Sequence, residues 1–410
     1  MTQDTNKSNI IKLESMTVEQ IARAGAQQML SRALEAEINT YLAGYSDILT
    51  VDGKKAVVRN GTLPERTLST AFGPVDISVP RSRSREVEIQ PFASALIPKY
   101  MRKTLKLEEA IPYFYLGGLS NNDFVPCFEK LFGPSVTGLS SPSITRLKKA
   151  WLSEMESWNK RSLKNSEYCY IWVDGIHFNL RLEDTRLCVL VVIGARADGE
   201  KELIAVCGGY RESAESWKCL LRDLKDRGMP EFKLAIGDGA LGFWKAVKDV
   251  YPRAEWQRCW VHKTANILDK LPKSVRPAAK SLIHDMYMSA TERKARKAYD
   301  RFIQQFTPKY PRAVECLEKD SEYLFTFYRY PAQHWQHIRS TNVIESVFST
   351  IRLRTKKTRG QGTLDMTLAM VFKLAERASK KWRKLRGYQS IEKVIEGVNF
   401  KDGVEIKLAA

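Results

Sequence analysis

Two acids in this chain interrupt apolar runs in the same way. Asp174 lies in Ile171-Trp172-Val173-Asp174-Gly175, interrupting an apolar strand-like run, and Asp238 ends another in Leu234-Ala235-Ile236-Gly237-Asp238-Gly239, each followed by glycine. A carboxylate in such surroundings is costly unless it is paired or liganded. Singly, either acid reads as a turn residue or helix cap, and Asp238 precedes a helical pattern that it could cap. Together, at strand ends of one sheet, they invite a metal. A third acid, Glu345, follows Arg339-Ser340-Thr341-Asn342-Val343-Ile344, on the first turn of a helix capped by Thr341 or Asn342. A carboxylate there ordinarily just compensates the helix dipole. Three carboxylates from two strands and a late helix can nonetheless converge on a pair of divalent ions, the arrangement for in-line phosphodiester chemistry.

Cys259-Trp260-Val261-His262 is a C-x-x-H pair where a strand runs into a helix. A structural zinc would need a second pair, and His334 with His337 is the available one, at a separation no zinc finger uses. Packing or hydrogen bonding near the acids is the expected role. The segment Ile351 to Ser390 holds twelve Lys/Arg against two acids. Its first members, Arg352, Arg354, Lys356, Lys357 and Arg359, follow Glu345 closely enough to neutralise the phosphates of a bound duplex, the alternative being a solvated helix face. No Walker loop, no G-x-G-x-x-G opening a helix and no nucleophile elbow is present, which argues against nucleotide-driven and acyl-transfer chemistry.

The elements that must position these residues are legible in outline. Thr17 with Gln20 forms a capping-box signature ahead of a helix to Leu42, with Ile21, Leu30, Leu34, Ile38 and Tyr41 at helical spacing. Asp47 to Asn60 is turn-rich. Arg66 to Ala71 and Val75 to Val79 alternate about Phe72-Gly73-Pro74 as a β-hairpin. The strip Pro80-Arg81-Ser82-Arg83-Ser84-Arg85 then reads as a solvated linker or a contact to DNA backbone. Three helices follow, Leu107 to Leu116, Asn121 to Leu131 (where Pro126 predicts a kink), and one opening at Ser141-Pro142. In the third, Ile144, Leu147, Trp151, Met155 and Trp158 share a face. Ser143, Thr145, Arg146, Lys148 and Lys149 fall on the other side, the layout of a recognition helix in a helix-turn-helix.

From Tyr168 the pattern becomes Cys169 to Leu180, Arg186 to Ala195 and Glu202 to Gly208 as consecutive strands, then a helix from Ser213 to Lys225. A strand at Phe232 to Ile236, a helix at Ala240 to Val250 and a strand at Ala254 to Trp260 complete an α/β arrangement with a mixed sheet covered by helices. Lys263 to about Tyr330 is helical and basic, and final helices run from Asn342. The chain has 410 residues and a formal charge of +19, with an average apolar content, so it is expected to fold and to meet a polyanion, nucleic acid first. Its longest apolar run, Leu187 to Ala195, is too short to cross a membrane. Met1 to Ile11 carries no apolar signal core, and seven scattered cysteines form no disulfide framework, so a cytoplasmic, nucleoid-associated protein is expected.

An ordered set of segments resembles one family, the DDE transposases of bacterial insertion sequences related to the eukaryotic Mutator elements. The set comprises Arg59-Asn60-Gly61 with Pro80-Arg81-Ser82-Arg83, Val173-Asp174-Gly175, Gly237-Asp238-Gly239, Gln257 to Lys263, Arg339 to Ser346, and Arg352-Leu353-Arg354-Thr355. The resemblance implies a ribonuclease H-like core in which Asp174, Asp238 and Glu345 are catalytic and bind two Mg2+ ions, with Mn2+ as a substitute. It also implies that Cys259 and His262 support the active site as the family's C/D-x-x-H signature. On this reading 1–50 is an oligomerising helix, 51–105 the hairpin and basic linker, and 106–165 the helix-turn-helix-like DNA-binding domain. The core occupies 166–262, a helical insertion 263–338, the final core helices with their basic face 339–390, and a tail 391–410. The protein would bind its element's terminal inverted repeats as a homodimer, cut DNA and join it to a target, with Ser143, Thr145, Arg146, Lys148, Lys149, Arg339 and the basic residues after Glu345 touching DNA. The rivals are a stand-alone nuclease using the same acids and a non-catalytic DNA-binding regulator.

Overall fold

The computed structural model describes residues 16–120, 123–133, 141–179, 186–209, 213–239, 241–358 and 363–406. Two compact units emerge, Met1–Leu147 and Lys148–Ala410. The first opens with helix α1 (Val18–Ala43), and its capping box forms as the sequence predicts: Gln20 N–H donates to Thr17 Oγ1 at 3.3 Å and Thr17 N–H to Gln20 Oε1 at 2.8 Å. Leu34 and Ile38 of α1 are buried, Leu34 in a cluster with Leu68, Val75, Ile77, Val79 and Ile97, whereas Ile21 is 41% exposed. Strands β1 (Val57–Thr62), β2 (Arg66–Thr70), β3 (Gly73–Ile77) and β4 (Pro80–Ser84) supply the rest. The expected hairpin forms as β2–β3, with Arg66 opposite Ile77 and Thr70 opposite Gly73, so its turn is Ala71-Phe72 and Gly73-Pro74 already belong to β3.

The basic strip is not a linker. It is β4, paired antiparallel with β1 so that Arg83 lies opposite Val58 and Ser82 opposite Arg59. Helices α2 (Leu105–Gly117) and α3 (Phe124–Phe132) follow, and the proline expectation shifts between them. Pro126 falls in the first turn of α3, where an N–H has no intrahelical partner to lose, so it does not kink that helix. Pro112 lies inside α2 instead. Helix α4 (Ser141–Asn159) buries Ile144, Trp151 and Met155 as predicted. The connection that would make α3 and α4 a helix-turn-helix, residues 134–140, lies outside the described residues.

The second unit is built on a five-stranded sheet of β5 (Tyr168–Asn179), β6 (Arg186–Arg196), β7 (Lys201–Gly209), β8 (Leu234–Gly237) and β9 (Glu255–Arg258), in spatial order β7-β6-β5-β8-β9. The first three form an antiparallel meander, and β8 and β9 run parallel to β5. A central strand covered on both faces must be apolar throughout, and Tyr168 to Val173 are all buried. Alternation sorts the two faces. Ile171 and Val173 join Trp217, Leu220, Leu221 and Leu224 of helix α5 (Ala214–Asp226) and Phe243, Trp244 and Val247 of helix α6 (Leu241–Val250). Tyr170 and Trp172 point the other way, toward a helical region comprising α7 (Trp260–Leu268), α8 (Arg276–Met288), α9 (Glu292–Phe306), α10 (Pro311–Glu318) and α11 (Trp335–Ile338), before α12 (Asn342–Thr358) and α13 (Leu364–Ser379).

Two histidines seal that second face. Tyr170 O–H reaches His334 Nδ1 at 2.7 Å while His334 Nε2 meets the Gly387 carbonyl at 2.8 Å, which requires Nε2 to carry the proton and Nδ1 to accept. Trp172 Nε1–H donates to the His337 carbonyl at 2.8 Å, and Arg386 N–H donates to His337 Nε2 at 3.2 Å. Burial, helped by Lys201, pushes His337 down to about 4, and burial also lowers His334. The unfolded chain therefore binds more protons than the fold between about pH 6.5 and 4, so stability falls as pH drops through that window. His337→Gln flattens the decline by on the order of 1–3 kcal/mol between pH 7 and 4, measured as the difference in urea unfolding between variant and wild type.

Candidate functional site

β8 runs parallel to β5 and stops while β5 continues, so Asp238, just past the end of β8, comes beside the middle of β5, where Asp174 lies. The sequence places both acids at strand ends, but only Asp238 is at one, because β5 runs on to Asn179 paired with β6. Trp172 pairs with Ile236 in the last register position that joins the two strands. Asp174 lies two residues beyond Trp172 and so shares its face, and Asp238 follows Gly237 directly. Asp174 is only 7% exposed, and its Oδ1 accepts a hydrogen bond from Gly175 N–H at 2.8 Å. Glu345 enters on the first turn of α12, where its N–H donates to the Thr341 carbonyl.

The Cys259–His262 segment ties these pieces together. Cys259 N–H donates to the Gly237 carbonyl at 2.8 Å, and Trp260 N–H to that of Arg339 at 3.0 Å, so the start of α7 bridges β8 and the approach to α12. Thr341 donates both its N–H and its hydroxyl to Cys259 Sγ at 3.3 Å, and its Oγ1 also lies 3.3 Å from His262 Nδ1. His262 Nε2 is 3.5 Å from Glu345 Oε1, and Arg352 Nη1 is 2.9 Å from Glu345 Oε2. Ligand atoms of Asp174, His262 and Glu345 all fall within 4.8 Å of one another. Asp238 is outside that trio, but its charge is felt at Asp174.

The electrostatics follow from this crowding. Burial drives the Asp174 carboxyl up to about 8, the charges of Asp238 and Glu345 add to the rise, and only His262 and the Gly175 N–H oppose them. His262 rises to about 10 because Cys259 and Glu345 hydrogen-bond its charged form. Glu345 is held down at about 2, first by His262 and then by Arg352. Burial alone raises the Cys259 thiol, but His262 and Thr341 outweigh it and bring it below the ordinary thiol range. Two donors converging on the sulfur suit a thiolate beside an imidazolium. A protonated imidazole cannot ligate a metal, so in this state His262 is the cation of the cluster.

Cys259 and His262 are thus beside the acids, whereas His334 and His337 are spent on Tyr170, Gly387 and Arg386, and no four-ligand zinc set forms with them. The basic residues divide. Arg352 and Lys356 are exposed, and Arg352 pairs with Glu345. Arg354 is 3% exposed and Arg339 is half-buried, donating to the Tyr287 carbonyl at 2.9 Å with its guanidinium over the Tyr287 ring. Burial takes Arg354 away from the exposed face of α12, and Tyr287 partly covers Arg339. Arg359 and the side chain of Lys357 lie outside the described residues. On α4, Thr145, Arg146 and Lys149 are exposed, and Ser143 and Lys148 half-buried.

Motif reasoning passes over a buried ion group next to the site. Arg258 and Lys263, 5% and 1% exposed, share one oxygen of Asp320, Arg258 Nε at 3.3 Å and Lys263 Nζ at 2.9 Å. The signal for Lys263 is its phase, since Trp260, Lys263 and Ile267 form the buried stripe of α7.

Fold and site together define an α/β protein with a carboxylate–imidazole cluster where the carboxyl end of β8 meets the middle of β5. The family model for the Mutator family of transposases matches residues 1–384, and the chain belongs to that family. It is 49% identical over 297 residues to the transposase for insertion sequence element IS6120 of Mycolicibacterium smegmatis, covering 72% of this chain and 92% of that relative. Identity is 42% over 279 residues to the transposase for element IST2 of Acidithiobacillus ferrooxidans, covering 68% and 94%. With the transposase for IS256 in transposon Tn4001 of Staphylococcus aureus it is 29% over 304 residues, covering 73% and 75%. No helix among the described residues is long and apolar enough to cross a membrane.

Proposed function

We propose that this chain is a DDE transposase that binds the terminal inverted repeats of its insertion sequence, cleaves the DNA at those ends and joins the freed 3′-hydroxyl to a target. One observation carries the reading: in a chain of the transposase family, Asp174 in the middle of β5 and Glu345, remote in sequence, converge beside Asp238 at the carboxyl end of β8. The strand order β7-β6-β5-β8-β9, a meander continued by two parallel strands, supports a ribonuclease H-like core.

The donor set fits hard divalent cations, for it offers carboxylate oxygens, and burial disfavours the ionisation of Asp174 until a positive charge arrives. Asp174, Asp238 and Glu345 would hold two Mg2+ ions, with Mn2+ as a substitute. When bound, Mg2+ supplies Lewis-acid activation for in-line phosphodiester hydrolysis and transesterification. The chain's own groups do the rest. Gly175 N–H fixes one oxygen of Asp174, His262 and Arg352 fix both oxygens of Glu345, and Cys259 with Thr341 orients His262. Arg352 and Lys356 extend a basic face from Glu345 along α12 that suits phosphates, and exposed Thr145, Arg146 and Lys149 of α4 suit the repeats. Two ends processed together call for two copies of the chain.

The test combines purified protein, a labelled duplex carrying the DNA ends that flank its gene and a plasmid target, with Mg2+ or EDTA. Wild type gives end nicking and a joined product only with Mg2+, and Glu345→Gln loses both by at least about 1,000-fold while binding the end duplex as wild type does. Retained joining by Glu345→Gln sinks the assignment of that residue. Metal-dependent cutting without end preference or joining identifies a nuclease, and tight binding with no cutting by wild type identifies a regulator.

A further inference from the structure

Arg258 ends β9 directly opposite Gly237, the residue before Asp238. Its head group folds back under the turn that carries this acid: a Cβ built on Gly239 would lie 2.0 Å from Arg258 Nη1 and 2.3 Å from its Cζ. Gly239 itself adopts φ of +86°, which side-chain-bearing residues rarely adopt. The guanidinium therefore occupies the volume that any side chain at 239 would need. Burying it is expensive, because Nε and Nη1 have no hydrogen-bond partner among the described residues and Nε faces Asp320 Oδ2 only as a misaligned ion pair. Lys263 draws on the same oxygen. Two buried cations share a single carboxylate, which leaves a positive charge lodged beneath the Gly237–Gly239 turn. A group held at such cost with unmet donors needs a reason beyond packing, and the adjacent acids provide one.

We propose that Arg258 is a positioning residue for the metal-holding acids. Clamped by Asp320, its guanidinium props the Gly237–Gly239 turn so that Asp238 is presented to the side of the sheet where Asp174 and Glu345 meet. Asp320 follows α10 in the helical region, so the clamp makes that region part of the site's architecture. The inference rests on the transposase reading and concerns residues outside the three acids.

The test reads Mn2+ binding to the full chain by electron paramagnetic resonance, alongside Mg2+ half-saturation of end cleavage and binding of the end duplex in EDTA. Removing the support of a metal ligand costs about 10–100-fold in metal affinity. Arg258→Met weakens Mn2+ binding and raises the Mg2+ half-saturation by about that factor, with end binding within about 2-fold of wild type and activity partly restored at high Mg2+. Asp320→Asn moves both in the same direction by about 3–10-fold. A purely structural role would lower the melting temperature of the metal-free protein and leave Mn2+ affinity at its wild-type value, and that outcome overturns the proposal. If Arg258→Met does not fold, Arg258→Lys and Asp320→Asn decide in its place by the same readouts. Wild type that binds Mn2+ no better than Asp174→Asn removes the metal-site reading itself, which is separable from normal wild-type binding retained in the Arg258 variants.

Discussion

Asp174→Asn makes the metal-free protein more stable while abolishing its Mg2+-dependent cleavage. The carboxyl is 7% exposed, and burial is the largest reason its protonation shifts up to about 8. For an acid whose folded value lies above its unfolded value of 3.8, the stability it contributes is complete below about pH 3.8 and is lost as pH rises toward 8. At pH 7.5 wild type therefore either carries a proton that metal must displace or holds an ill-solvated charge. Asparagine keeps the shape and discards the charge. At about 1.4 kcal/mol per unit the gain at pH 7.5 is at most about 5 kcal/mol, and on the order of 1–3 kcal/mol is expected once relaxation and the His262 cation are allowed for. Thermal unfolding in EDTA should show the variant above wild type at pH 7.5 and the gap closing toward pH 5. Added Mg2+ should raise the melting temperature of wild type and not of the variant, and end cleavage should fall at least about 1,000-fold with end binding unchanged. A variant no more stable than wild type in EDTA, or still stabilised by Mg2+, would falsify the account of Asp174 as a strained ligand.

That result would explain why the acid stands out in the amino-acid sequence. An Asp after Ile171-Trp172-Val173 violates the rule that a doubly covered strand is apolar, and such violations mark sites. The strands themselves are legible for the same reason, because a run buried on both faces needs no partner to be recognised. What escapes depends on phase or on distant partners. Arg354 groups with its basic neighbours by composition, yet Ile344, Val347, Phe348 and Ile351 define a stripe on α12 that 354 continues, and it is buried accordingly. The strip Arg81-Ser82-Arg83 reads as linker because polar alternation resembles solvated chain. It becomes strand through backbone pairing with β1, which no local pattern announces. His262 becomes interpretable only when Thr341 and Glu345, far along the chain, close around it.

Gly242→Ala is expected to destabilise the fold, against the preference of its own helix. Alanine is better than glycine inside a helix by about 0.8–1 kcal/mol. Gly25, in α1 with nothing within 4 Å of its Cβ position, should realise that gain when replaced by alanine. Gly242 cannot. A Cβ there would meet Ala214 N at 2.5 Å and Ser213 carbonyl carbon at 2.8 Å, which is backbone and not the tip of a movable side chain. Those atoms are the start of α5, pinned by the hydrogen bond from Ser216 N–H to Ser213 Oγ at 3.1 Å. Relief must come from parting α5 and α6, which opens the packing of Trp217 against Phe243, whose ring centroids are 5.0 Å apart. Overpacking of this kind costs about 1–3 kcal/mol or more, so the steric term outweighs propensity and the net loss is on the order of 1–3 kcal/mol. Urea unfolding should show a lower midpoint with an unchanged slope for Gly242→Ala and a higher midpoint for Gly25→Ala. Because α6 begins just beyond Asp238 and Gly239, the displacement should also raise the Mg2+ half-saturation of cleavage in Gly242→Ala and leave it unaltered in Gly25→Ala. Equal or greater stability in Gly242→Ala would show that α5 and α6 part without cost at this contact.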